Sequence, residues 1–176
     1  LLQIEKSRKL NLDENIYFEI IKNKTASLLS SACAVGAYST THNEEITEKM
    51  KIFGEKVGIA FQIKDDLFDY GTENVGKPTG NDIKEKKLTL PLIYTLNKTD
   101  RFTRKKLIYS IKNNNKDPQK VKEIIAVVSK SGGIEYAQQK MLEYRDEALD
   151  ILNSFASSPV RKALEDLVRF TTDRKY

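Results

Sequence analysis

One cysteine, one histidine and no tryptophan occur in 176 residues, and each scarcity removes a chemistry. Cys33 has no partner for an internal disulfide, and neither it nor His42 has neighbours at metal-ligand spacing. Cysteine and histidine chemistry therefore drop out, and a reducing cytoplasm fits. Long apolar runs are missing as well. The stretch TASLLSSACAVGAYS is shorter than the roughly 18 residues of a membrane span and is rich in serine, so no transmembrane segment is expected. No signal-like charged segment precedes an apolar one, and Leu1 in place of methionine fits a piece of a longer chain. Charge of one sign is not in large excess: 30 Lys and Arg against 25 Asp and Glu leave +5. A nucleic-acid binder needs a concentrated basic stripe with exposed aromatics beside it. The lysines here read instead as gathering around one acidic cluster, and nucleic acid is excluded as a partner.

What is present is helical periodicity throughout, without the sustained alternation of a half-buried strand. The expectation is an all-α helical bundle and one domain over residues 1–176. Ile16, Ile20, Ala26, Leu29, Cys33 and Gly36 predict one helix from Asn15 to about Tyr38, with these residues on its buried face. Ile46, Met50, Phe53, Val57, Phe61, Leu67 and Phe68 predict a second, ending near Gly71. Residues 71–88 read as a loop holding one short turn, with Asp82 as its cap and Glu85 three residues on. Pro91 suits the first turn of the next helix. Further helices are expected from Thr99 or Asp100, from Asp117 with Pro118 just inside, after Gly132 and Gly133, and after the break at Ser157–Ser158–Pro159. Gly54 and Gly58, each unfavourable by about 1 kcal/mol against alanine within a helix, predict the close approach of another helix. Phe61 and Phe68 are assigned to the core.

The chemistry concentrates in GIAFQIKDDLFDYGTENVGKPTGNDIKEKKLTLP. On a helix Asp65 and Asp69 share one face, with Asp66 beside them. Two carboxylates about 5 Å apart repel by roughly 3 kcal/mol at an effective dielectric near 20, so something positive should offset them. Oxygen-only ligands suit a hard cation, and magnesium takes one or two carboxylates while leaving its other positions to water and substrate phosphate. Phosphate-binding candidates follow: Lys77 in a glycine-bounded loop, then Lys84, Lys86 and Lys87. An isolated DDxxD is more often an acidic solvated face, and a lysine-rich loop is more often solvated. The order of acidic helix end, Gly-Lys-Pro loop, short turn, lysine and proline-started helix carries the weight.

That order resembles the second aspartate-rich region of the trans-type polyprenyl diphosphate synthases. The matching strings are FQIKDDLFD from Phe61 to Asp69, GKPTGND from Gly76 to Asp82, and KKLTLP from Lys86 to Pro91. Lys24 and Thr25 match the family's Lys-Thr pair, and Gln3 resembles the glutamine of the preceding helix. The resemblance implies the isoprenoid (terpenoid) synthase fold, here its C-terminal portion. The family's first aspartate-rich motif, and with it most of the isopentenyl diphosphate site, would lie upstream of Leu1. Lys86 stands where many members have glycine.

The implied reaction is magnesium-assisted ionisation of an allylic diphosphate, attack by isopentenyl diphosphate and proton loss, giving a longer trans-polyprenyl diphosphate and pyrophosphate. By resemblance Asp65, Asp66 and Asp69 ligate Mg²⁺, and Lys24, Lys77 and Lys87 bind the allylic diphosphate. Thr25 and Gln62 would present partial negative charge to the carbocation, Thr25 by bonding back to the carbonyl four residues earlier and bending its helix. For both, the plainer reading is a polar side chain satisfied inside a helix bundle. A homodimer is implied, and peripheral membrane contact for handing over a long product is left open. The alternative is a noncatalytic partner subunit of a heteromeric synthase.

Overall fold

The computed structural model describes residues 13–71 and 79–174. All regular structure among them is helical: α1 (Glu14–Ile21), a π-helical turn (Lys22–Ala26), α2 (Ser27–Thr41), α3 (Glu44–Phe68), the single turn α4 (Asn81–Lys84), α5 (Leu90–Lys98), α6 (Arg101–Asn113), α7 (Pro118–Lys130), α8 (Gly133–Asn153) and α9 (Pro159–Asp173). The all-α expectation holds. Local chemistry explains the boundaries. Asp100, Asp117 and Ser158 each accept hydrogen bonds from the first N–H groups of α6, α7 and α9, satisfying donors that have no partner within the helix. Pro91, Pro118 and Pro159 sit in first turns, where a missing N–H does no harm.

The predicted helix from Asn15 runs on to Thr41, but not as one regular α-helix. Its buried residues are Tyr17, Ile21, Ala26 and Ser30, in steps of four, five and four. The five-residue step coincides with the π-helical turn, whose extra residue rotates everything after it. The inward column therefore lies one residue beyond Ile16 and Ile20, and Gly36 is exposed rather than buried.

The chain falls into two compact units. Of the described residues, the first comprises 13–20, 65–71 and 79–138. Leu90, Leu92, Ile93, Ile111, Ile124 and Val128 are fully buried in it, each stabilising by about 1.5–3 kcal/mol relative to exposure. Gly133 opens α8 where a Cβ would lie 2.5 Å from the Pro91 carbonyl oxygen and 2.7 Å from Thr95 Oγ1, so α5 packs directly on backbone there. Helix α1 is tied in by Tyr136, whose hydroxyl donates to Glu14 at 2.6 Å.

The second unit comprises Ile21–Lys64 and Gln139–Arg174. Its core is Phe53, Val57, Ala148, Leu149, Leu152 and Val168. The expected close approach at the α3 glycines is found. A Cβ on Gly54 would stand 2.5 Å from the Leu29 carbonyl oxygen, and one on Gly58 2.5 Å from Ala26 Cα. Between these helices Ser30 Oγ donates to the Lys51 carbonyl at 2.9 Å.

Candidate active site

The acidic cluster occupies the first unit, at the C-terminal end of α3 and just beyond it. Asp69 is buried, and its two carboxylate oxygens accept the backbone N–H groups of Asn81 at 2.7 Å and Asp82 at 3.2 Å. It thus caps α4 from twelve residues upstream. Gly80, which precedes α4, has φ +79°, and a Cβ there would collide with Val121. Asp82 was expected to be this cap and is not. Its N–H is one of the donors Asp69 receives, while its carboxylate takes Lys87 Nζ at 3.1 Å. Lys87 also reaches Glu85 at 2.6 Å, and these partners hold its ammonium pKa above the ordinary lysine value, the Glu85 hydrogen bond most strongly.

Asp66 is held from a different helix, α1. Tyr17 donates its hydroxyl hydrogen to Oδ2 at 2.8 Å, and the carboxylate faces the Leu90 N–H, the first of α5. Thr89 makes no side-chain cap for α5; its hydroxyl lies 2.5 Å from that of Tyr70. Burial pushes Asp66 from 3.8 up to about 7, with Asp82 and Asp65 adding to the rise and the Tyr17 bond and the Leu90 N–H opposing it. Burial also raises Asp69, and Asp82 is again the next contributor. Asp69 of the motif thus starts α4, Asp66 is tied to α1 through Tyr17, and Asp65 sits half-buried beside them.

The trio was expected to gather around one cation. Among the described residues no three His, Cys, Asp or Glu side chains form a ready metal cage; Asp66 is turned to Tyr17 and Asp69 to the start of α4. The donor set is all oxygen and mutually repelling, which suits a hard cation held by one or two carboxylates with water or phosphate completing it. It does not suit one enclosed by protein alone. Sequence reading overlooked Tyr17; the available signal was a hydroxyl in the buried column four residues before Ile21.

Lys86 has φ +58°. Its N–H bonds the Ile83 carbonyl and the Lys87 N–H the Asp82 carbonyl, the pairing that ends a helix with one left-handed residue, usually glycine. This is the physical reason a glycine suits the position. The exposed Lys86 side chain donates to the Lys112 carbonyl at 2.7 Å.

Lys24, Thr25 and Gln62 belong to the second unit. Lys24 is exposed on the π-helical turn. The Thr25 hydroxyl donates to Gln62 Oε1 at 2.9 Å, not back to the Ile21 carbonyl as expected, so the irregularity here is the π-turn rather than a threonine bend. Phe61, assigned to the core, lines a wholly apolar cavity of roughly 400 Å³ together with Leu29, Cys33, Phe53, Leu164 and Val168. Lys77, in the motif loop, lies outside the described residues, as does Gln3.

The family model described as Polyprenyl synthetase matches residues 1–128. The short chain isoprenyl diphosphate synthase of Methanocaldococcus jannaschii is 36% identical over 162 residues, 91% of this chain and 49% of that protein. Heptaprenyl diphosphate synthase component 2 of Bacillus subtilis is 30% identical over 172 residues, 96% of this chain and 48% of the relative. A polyprenyl synthase from Caulobacter crescentus, solved in complex with calcium and isoprenyl diphosphate, superposes with a TM-score of 0.90 at 31% identity, covering 99% of this chain and 54% of that one. The chain spans about half the length of the relatives it matches.

Proposed function

The chain belongs to the polyprenyl synthetase family, and from that premise we propose that it supplies the allylic-diphosphate side of a prenyltransferase that lengthens an allylic diphosphate with isopentenyl diphosphate. The observation that carries this reading is the corner in which the carboxylates of Asp65, Asp66, Asp69 and Asp82 lie close enough to interact while Asp82 draws in Lys87 at 3.1 Å. A surplus of negative charge with a cation at its edge is the electrostatic complement of a metal-bound diphosphate. Asp65 would be the principal ligand for Mg²⁺, with Asp66 and Asp69 completing the carboxylate set. Bound magnesium would offset the charge developing on departing pyrophosphate. Lys87, Lys77 and Lys24 bind diphosphate oxygens, and groups aimed at developing charge stabilise the transition state more than the intact ester. The Thr25–Gln62 pair keeps its oxygens fixed, so that neither traps the allylic cation as a nucleophile. The apolar cavity beside Phe61 takes hydrocarbon.

The test is turnover of labelled isopentenyl diphosphate with an allylic primer by the full-length protein in magnesium. Asp65→Ala should lower the rate by at least about 10²-fold, the scale of losing one stabilising group. Wild-type turnover in that variant would remove the assignment. A second reading, one subunit of a two-component synthase, is supported by the likeness to heptaprenyl component 2. Turnover by the purified homodimer alone decides against it, and turnover only after a second chain is added decides for it.

A further inference from the structure

Helix α6 carries a surface the proposed reaction does not use. Between Asp100 and Asp117 the sequence runs RFTRKKLIYSIKNNNK, with six cationic side chains and no acidic one. Leu107 and Ile111 are its buried residues and fix which way the helix faces. At about 100° per residue the opposite side presents Phe102, Lys105, Lys106 and Tyr109, with Arg101 and Lys112 along the flank. All six are exposed, Phe102 to 78% and Tyr109 to 62%. The face is preformed, because the Asp100 carboxylate accepts from the N–H groups of Phe102 and Thr103 and fixes the first turn.

Two aromatic rings seven residues apart, bracketed by lysines, are the inverse of an ordinary solvated helix face. The lysines expected to gather at the acidic cluster are thus only part of the basic complement. A partner for this face must be anionic and apolar at the same place. It must also admit two ring side chains into itself, since a single convex helix offers no groove to enclose a ligand. A bilayer with anionic headgroups meets all three demands. Aromatic side chains settle at the boundary of headgroup and acyl chain, and lysines beside them are attracted by the surface potential.

We propose that α6 docks the protein on an anionic membrane surface, with Phe102 and Tyr109 entering the headgroup–acyl boundary and Arg101, Lys105, Lys106 and Lys112 lying among the headgroups. The inference stands on the helix face alone and is independent of the reading of the active site. The experiment is co-sedimentation of the full-length protein with vesicles of phosphatidylcholine alone and of phosphatidylcholine with one-third phosphatidylserine, at physiological salt. Partition onto the anionic vesicles should exceed that onto the neutral ones by at least about tenfold, and Lys105→Glu/Lys106→Glu should abolish that preference. Phe102→Ser/Tyr109→Ser should weaken anionic binding by about tenfold while keeping part of the charge preference. Both double variants should retain wild-type helicity and solution turnover of a short, water-soluble primer. If turnover fails in every form while vesicle binding persists, the active-site reading falls and the docking surface stands. Equal binding to both vesicle types, no binding to either, or full binding by either variant overturns the proposal. So does preference for a single-stranded oligonucleotide over anionic vesicles, since bases could stack on the same two rings.

Discussion

Tyr17 donates its hydroxyl hydrogen to Oδ2 of Asp66 at 2.8 Å, joining positions 49 residues apart in the chain. It supports a carboxylate whose burial pushes its pKa from 3.8 to about 7. The folded state therefore holds the Asp66 proton more tightly than the unfolded state does. Stability from this group is fully present below 3.8 and is lost as pH rises through about 7. Urea unfolding at a series of pH values should show the loss, and Asp66→Asn should flatten that window and raise stability above it. An unchanged slope in the variant would assign the titration elsewhere.

The hydroxyl of Tyr17 matters most when Asp66 is ionised. Tyr17→Phe should cost roughly 1.5–3 kcal/mol near pH 8, the range for a hydrogen bond to a charged group, and distinctly less near pH 5. Parallel denaturant titrations of the two proteins read the difference. An equal effect at both pH values would mean that ring packing, not the bond, is what Tyr17 contributes.

Asp69 should behave as a helix cap. Asp69→Ala leaves the N–H groups of Asn81 and Asp82 without their acceptor and should lower stability by about 1–2 kcal/mol. Asp69→Asn keeps one acceptor oxygen and should recover more than half of that. Thermal unfolding without metal or substrate separates this structural part from any effect on turnover.

At Gly54 and Gly58 helix propensity and packing oppose each other. Alanine gains up to about 1 kcal/mol in an exposed helix, but here its Cβ would meet backbone at 2.5 Å, and overpacking costs about 1–3 kcal/mol. Both substitutions should lower the melting temperature. Gly36→Ala, whose Cβ would have nothing within 4 Å, should raise it slightly. Matching melting shifts for all three would show that α2 and α3 do not approach closely at the glycines.

The left-handed backbone of Lys86 gives a paired test. Lys86→Ala and Lys86→Gly both lose the bond to the Lys112 carbonyl, but only glycine relieves φ +58°. The glycine variant should be the more stable by about 1 kcal/mol. Equal stabilities in chemical unfolding would contradict the strain at this residue.

Most helix boundaries were legible because their causes are local. Asp100, Asp117 and Ser158 cap donors two or three residues away, and Gly54 and Gly58 announced a close contact by standing where propensity disfavours them. The motif was legible as composition, but its internal roles were not. Asp69 caps the turn assigned to Asp82, and its donors lie twelve and thirteen residues further along the chain. Tyr17 was legible only as a hydroxyl within an apolar column; that its acceptor is Asp66, 49 residues on, was not.

The sequence by itself determined that the chain is helical, where most helices start, and that carboxylates and ammonium groups cluster near the end of α3, since these follow from contacts within a turn or two. Tertiary structure alone decided which aspartate holds which helix, where the register slips by one residue at the π-helical turn, and which face of α6 is left to solvent. Those outcomes depend on burial and on hydrogen bonds between residues distant in the chain, whose geometry exists only once the helices have packed.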